Sequence, residues 1–234
     1  MRVWREHVAD THRQTAEAHP DVIHRLLTHP PRGYVFIVKA TQDSHYDLFM
    51  LTLLRQALSE RLRTLQVVTE ARNRELMRDI ARLQDDGFKI LEVRYGQEVL
   101  GEHSCAPHLH EINIMMRELR HVHGPSIVTF EGLTPLLIDF SPRDVVAFFK
   151  EAVEESVKVG SIEFYLIHEN ATDDITMNQL FSLAHGIISL STSRGRHYLR
   201  VLKSLGIHLP YNPVDYVPEM SSPDRSNWQI VLNW

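Results

Sequence analysis

The stretch PRGYVFIVKATQDSHY, residues 31–46, decides the fold. Pro31, Arg32 and Gly33 interrupt whatever precedes them. Tyr34 to Val38 is then a short, unbroken apolar run. A run of that length between breakers reads as a strand buried on both faces, as in parallel sheets. Lys39 to Ser44 is a polar turn. Residues 46–62 follow, rich in leucine at helical spacing. Strand, polar turn and helix form the repeating unit of a sheet covered on both sides.

The same alternation extends outward. Toward the N-terminus, residues 3–29 read as helical, with a restart at Pro20-Asp21. Toward the C-terminus, strands are expected at 65–69, 88–93, 126–130 and 162–167. Helices are expected at 72–86, 112–123, 141–159 and 175–184. Ser141-Pro-Arg-Asp144 is a strong helix start, with a serine cap, proline in the first turn and then an acid. Residues 186–190 and 197–202 flank Ser193-Arg-Gly195 and read as a hairpin. Residues 95–110 read as irregular, and the tail beyond Leu209 as extended. The expected fold class is therefore a three-layer α/β domain with a mostly parallel sheet, flanking helices and a C-terminal antiparallel hairpin. The expected layout is a helical segment over 1–30, a core over 31–218, and a tail or edge strand over 219–234.

Composition sets outer limits. The chain has 234 residues, 43% of them hydrophobic and 24% charged, enough for one domain with its own core. A net charge of −5 supplies no overall field that attracts nucleic acid or membrane. One cysteine, Cys105, rules out an internal disulfide framework and suits a reducing compartment. The first residues carry charges rather than an apolar secretory core, and no stretch approaches a membrane span. A cytoplasmic location with no membrane partner is expected. No G-x-S-x-G elbow occurs, so the hydrolase reading has no anchor.

Several motifs occur in an order that resembles RecA-like ATPases of the KaiC and RadA type. Arg32-Gly33 and the strand behind it resemble that family's opening. Gln66-Val-Val-Thr-Glu70 resembles its second strand, which ends in an acid. Ser126 to Leu137, SIVTFEGLTPLL, resembles the Walker B strand and its continuation. Phe164 to Glu169 resembles the fourth core strand. Gly195 to Lys203, GRHYLRVLK, resembles the C-terminal hairpin. The resemblance implies a RecA-like core over residues 21–218 and side-by-side assembly, with itself or with an active relative.

The departures from that pattern fall where nucleotide is handled. A phosphate loop of this kind reads G-x-x-x-x-G-K-[ST]: glycines let backbone N–H groups approach the phosphates, lysine contacts the β/γ oxygens and the hydroxyl holds Mg²⁺. In register, those four positions are Lys39, Ser44, His45 and Tyr46. Asp43 adds a carboxylate where polyphosphate would lie. Glu131 stands at the Walker B aspartate, and Glu70 at the acid that orients water. The family's K-x-R appears as Lys203-Ser204-Leu205, without the arginine. These departures imply a degenerate, catalytically inactive ATPase with no nucleotide cofactor, acting as a regulatory or scaffolding subunit. A working ATPase with a non-standard loop is the alternative within the same fold.

Two other chemistries have candidate residues. His103, Cys105, His108 and His110 are zinc-ligand types within eight positions, although their spacing matches no structural zinc pattern. Arg194, Arg196, Arg200 and Lys203 form the most basic stretch, read as a solvated hairpin face or a subunit contact ahead of a nucleic-acid site. On a strand the three arginines share a parity and line one face. Tyr198, the aromatic among them, is expected on the opposite face, which disfavours nucleic acid. Trp228 and Trp234 bracket an apolar C-terminal run suited to pairing with this sheet or with another chain.

Overall fold

The computed structural model describes residues 22–69, 87–94, 103–220 and 229–233. The expected helices over 3–18 and 72–86, together with Glu70, Trp228 and Trp234, lie outside the described residues. Among the described residues the chain runs α1 (Val22–Thr28), β1 (Val35–Ala40), α2 (Tyr46–Ser59), β2 (Thr64–Val68), β3 (Phe88–Val93) and β4 (His103–Cys105). It continues through α3 (Leu109–His123), β5 (Ile127–Phe130), α4 (Leu133–Asp139), α5 (Pro142–Val159), β6 (Ile162–His168) and α6 (Asp174–Leu183). The antiparallel part is β7 (Gly186–Ser193), β8 (Arg196–Ser204), β9 (Val214–Glu219) and β10 (Gln229–Asn233).

All ten strands join one sheet, in the order β10-β9-β8-β7-β1-β6-β5-β2-β3-β4. From β7 through β4 the neighbours are parallel, and β7 through β10 form an antiparallel extension. β1 lies in the middle, paired on both sides, which is why Val35 to Val38 are apolar on both faces, with Lys39 near its end. Phe36, Val38 and Ala40 enter the core beneath α1 and α2. Val35 and Ile37 enter the core on the other face, beneath α3, α4, α5 and α6.

Local chemistry accounts for the breaks. Gly33 has φ +81°, and a Cβ there would lie 2.7 Å from the Cα of Val157, so both the turn and the approach of α5 require glycine. Gly186 faces Phe36, whose ring would lie 2.4 Å from an added Cβ. The α5 start is as expected from its sequence: Ser141 Oγ accepts from the Asp144 amide and Pro142 opens the helix. Gly160 closes it in the left-handed region at φ 83°.

Three elements go beyond the sequence reading. β4 occupies part of the stretch read as irregular, pairing with β3 through only three residues. α4 continues the β5 strand as a short helix that includes Pro135 in its first turn. β9 occupies part of the extended tail, and β10 pairs with it as the outermost strand. The Ile230 amide donates to Thr52 Oγ1 at 3.0 Å, tying that last strand to α2.

Candidate functional site

The connection from β1 to α2 is closed by its own side chains. The Ser44 amide donates to the Thr41 carbonyl at 3.2 Å, and Ser44 Oγ donates to the same carbonyl at 2.6 Å. Ser44 is fully buried. Thr41 Oγ1 donates to Asp43 Oδ1 at 2.7 Å. That bond is the largest influence on Asp43, holding its carboxyl below the usual range, with Thr192 and His197 acting in the same direction. The loop therefore carries a fixed negative charge at the helix start.

His45 adopts a left-handed conformation at φ 49° and is the N-cap residue of α2, with no side-chain capping bond. Asp43 and Ser44, residue types suited to capping this helix, are committed within the turn instead. The His45 ring meets the edge of His197 at 5.1 Å between centroids, and His197 stacks on Tyr216 at 5.4 Å. Thr192 Oγ1 bonds His197 Nδ1 at 3.0 Å and donates to the Asp43 carbonyl at 3.1 Å. The Tyr216 hydroxyl donates to the Ser44 carbonyl. Burial is the main influence on both rings. It lowers the His197 pKa and raises that of Tyr216, so the histidine favours its neutral form and the phenol keeps its proton.

The other two loop positions are also engaged. Lys39 Nζ pairs with Glu169 Oε1 at 2.5 Å across the ends of β1 and β6. Tyr46 is 7% exposed and sets its ring against His168 at 4.8 Å. Lys39, Ser44, His45 and Tyr46 thus all have structural partners at the same corner of the sheet.

Glu131, at the end of β5, is 5% exposed. Its Oε1 accepts from Gln66 Nε2 at 2.7 Å, and Thr129 donates to the amide oxygen of Gln66. The carboxylate is embedded in a side-chain chain that runs inward. Lys203 turns toward α6 because β7 and β8 shift register at Ile187/Ile188. Its ammonium donates to the carbonyls of Ala184 at 2.6 Å and Phe181 at 2.9 Å, at the end of that helix. Cations there complement the helix dipole. Leu205 is 54% exposed, and its amide donates to the His185 carbonyl.

Cys105 is 1% exposed within the core beneath α3, and burial pushes its thiol up to about 12. His108 and His110 are exposed at the start of α3, while His103 lies on β4. Among the described residues no group of three or more His, Cys, Asp or Glu side chains is placed to hold a metal ion. No described helix is long and apolar enough to cross a membrane.

Arg194, Arg196 and Arg200 are exposed along the hairpin. One expectation is corrected here. Tyr198 shares their face, because Leu199 and Val201 are the residues that turn into the core, each 1% exposed. His197 and Tyr216 escaped the sequence reading as parts of the loop region. His197 has the parity of Leu199 and Val201, so its inward direction was available. Tyr216 was hidden in a stretch read as tail.

No protein-family model matches the chain, and no curated protein sequence matches it. The structure, however, is similar to a KaiC-like protein of the hyperthermophilic archaeon Pyrococcus horikoshii OT3. The TM-score is 0.68 at 10% sequence identity, over 87% of this chain and 91% of that one. The fold is RecA-like, of the KaiC type. β7 and β8 form the antiparallel hairpin that follows the parallel part of the sheet.

Proposed function

We propose that this chain is a catalytically inactive RecA-like domain that acts by protein–protein interaction, as a regulatory or scaffolding subunit. One observation carries the reading: the β1–α2 loop is tied to the antiparallel extension through Ser44–Tyr216, Asp43–Thr192 and His45–His197. A phosphate loop needs free backbone N–H groups, a lysine and a hydroxyl. Here Lys39 is paired with Glu169 and the Thr41 and Ser44 hydroxyls are engaged within the turn, while the Asp43 carboxylate repels polyphosphate. The engagement of Lys203 with α6 supports the same reading, since that ammonium is occupied inside its own domain. No nucleotide or metal cofactor belongs to it. The partner is a second copy or an active RecA-like relative.

Calorimetric titration of the full chain with Mg-ATP, up to about 1 mM, tests the catalytic half. No saturable heat is expected, and a saturable isotherm in the micromolar range would overturn the reading. Light scattering on the purified chain, alone and mixed with an active RecA-like protein, tests the assembly half. A strict monomer in both samples would remove the scaffolding role.

A further inference from the structure

We infer that the cleft between the N-terminal ends of α5 and α6 is a docking groove for a basic amphipathic helix of a partner protein. The inference rests on the reading of the chain as an interaction domain, and gives that interaction a place and a chemistry. The cleft has a volume of about 610 Å³ and is lined by Ser141, Pro142, Arg143, Val146, Thr176 and Gln179. Ser141, Pro142, Arg143 and Gln179 are exposed, so the cleft is an open trough. Small ligands are held by enclosure, whereas an open trough suits a long ligand.

Two isoleucines stand beside it. Ile138, shortly before Ser141 in the chain, is 78% exposed, and Ile175, next to Thr176, is 73% exposed. Apolar side chains left bare around a cleft, with a polar rim, mark an interaction site. The hydroxyls of the lining are already spent. Ser141 Oγ donates to Asp144 Oδ2 at 2.7 Å and accepts from the Asp144 amide. Thr176 Oγ1 donates to Asp173 Oδ2 at 2.8 Å. An extended peptide needs a strand edge to satisfy its backbone, and the walls here are helices. A helix satisfies its own backbone, so it can lay an apolar stripe along the trough with few new hydrogen bonds.

Charge selects the partner. Asp139, Asp144, Asp173 and Asp174 lie within a few residues of the lining and are all exposed, against the single base Arg143. Hydrogen bonds from Thr176 hold the Asp173 carboxyl below its usual range. Both helix starts thus carry their own carboxylates, which opposes a phosphate or an acidic surface there. Lysines or arginines flanking an apolar stripe complement this rim.

The test is fluorescence anisotropy of a labelled leucine–lysine peptide, its leucines on one helical face, titrated with the full chain at low salt. One comparison peptide has the same composition with the stripe scrambled, and another has glutamate for lysine. The striped basic peptide is expected to bind at about 10 μM, and both comparison peptides about tenfold more weakly or not at all. Ile138→Ser with Ile175→Ser should weaken binding roughly tenfold through lost apolar burial. Asp139→Asn with Asp174→Asn should weaken it less and flatten its salt dependence. Thermal melts report that each variant is folded. No binding of the striped peptide overturns the proposal, as does unchanged affinity in the folded isoleucine variants. Equal binding of the striped and scrambled peptides reduces the effect to unspecific charge attraction and overturns it too. Self-association that the isoleucine variants abolish assigns the cleft to a second copy instead. The Mg-ATP titration and the mixing experiment read the proposed function separately, so either reading can fail alone.

Discussion

The hydroxyl of Tyr216, on β9, donates a hydrogen bond to the main-chain carbonyl of Ser44, in the loop that leads into α2. The two residues are 172 positions apart. Both are buried, at 2% and 0% exposure. Removing the hydroxyl leaves a buried carbonyl without this donor. Tyr216→Phe is therefore expected to destabilise the fold by about 1 kcal/mol, read as a lower urea midpoint at unchanged slope. Amides over residues 41–45 should exchange faster. An unchanged midpoint and unchanged exchange would show that the bond contributes nothing.

Lys203 fastens the end of α6 to β8. Burial also lowers its pKa, which matches an ammonium partly withdrawn from water among carbonyls. Lys203→Met keeps much of the stem and removes the charge. It should cost about 1 to 2 kcal/mol, at the lower end for a charged bond because the group is only half-buried. The matching local readout is faster exchange in the last turn of α6. A loss of stability without that local change would place the effect elsewhere.

Arg120 and Glu163 form a buried ion pair at 2.6 Å, with 1% and 0% of their side chains exposed. Tyr165 closes the triangle, accepting from Arg120 at 3.1 Å and donating to Glu163 at 2.7 Å. Arg120→Met strands a buried carboxylate and is expected to cost about 3 to 5 kcal/mol. Adding Glu163→Leu should recover much of that loss, since a buried pair barely exceeds its own desolvation cost. Chemical denaturation of the two variants decides the matter. A double variant as unstable as the single would contradict it.

His185 supplies a pH dependence with a definite direction. Its Nδ1 accepts from the Val35 amide at 3.0 Å, so that nitrogen carries no proton. Burial, and then the charge of Lys203, lowers its pKa from 6.5. Burial lowers His123 and His197 as well. The unfolded chain then binds protons more readily than the folded one. The stability involved is complete above 6.5, the unfolded value, and is lost as pH falls below it. The urea midpoint should drop between about pH 7.5 and about pH 5.5. His185→Phe should be less stable at neutral pH yet show a smaller drop. An equal drop in both proteins would remove His185 from the account.

Periodicity made the central strands legible. β1 reads as a continuous apolar run because it has neighbours and helices on every side, and its breaker Gly33 is tied to a real φ requirement. Elements that depend on one neighbour were less visible. β4 has three residues and two of them are polar, so nothing in its own sequence distinguishes it from a loop. α4 carries Pro135 and only seven residues, too few to display a stripe. The face of Tyr198 was misjudged although simple alternation with Leu199 assigns it.

At the candidate site Lys39, Ser44, His45 and Tyr46 could be named from the sequence, while the groups that hold that turn could not. Tyr216 and Thr192 reach Ser44 and Asp43 only through strand pairings between distant segments. Arg120 shows the opposite situation. It follows Ile112 and Met116 at steps of four on α3, so its place on the buried stripe was readable, and the acidic partner lay in an otherwise apolar strand.

The bond from Ile230 to Thr52 gives the antiparallel extension a second hold on α2. The antiparallel strands reach α2 twice, at its entrance through Tyr216 and along its length through Ile230. They behave as a resident guest, covalently attached to its host. Such a guest does not dilute, is not consumed, and holds its place at an effective concentration set by the chain itself. On the proposed reading, the shape presented to a partner is then indifferent to the supply of energy in its surroundings.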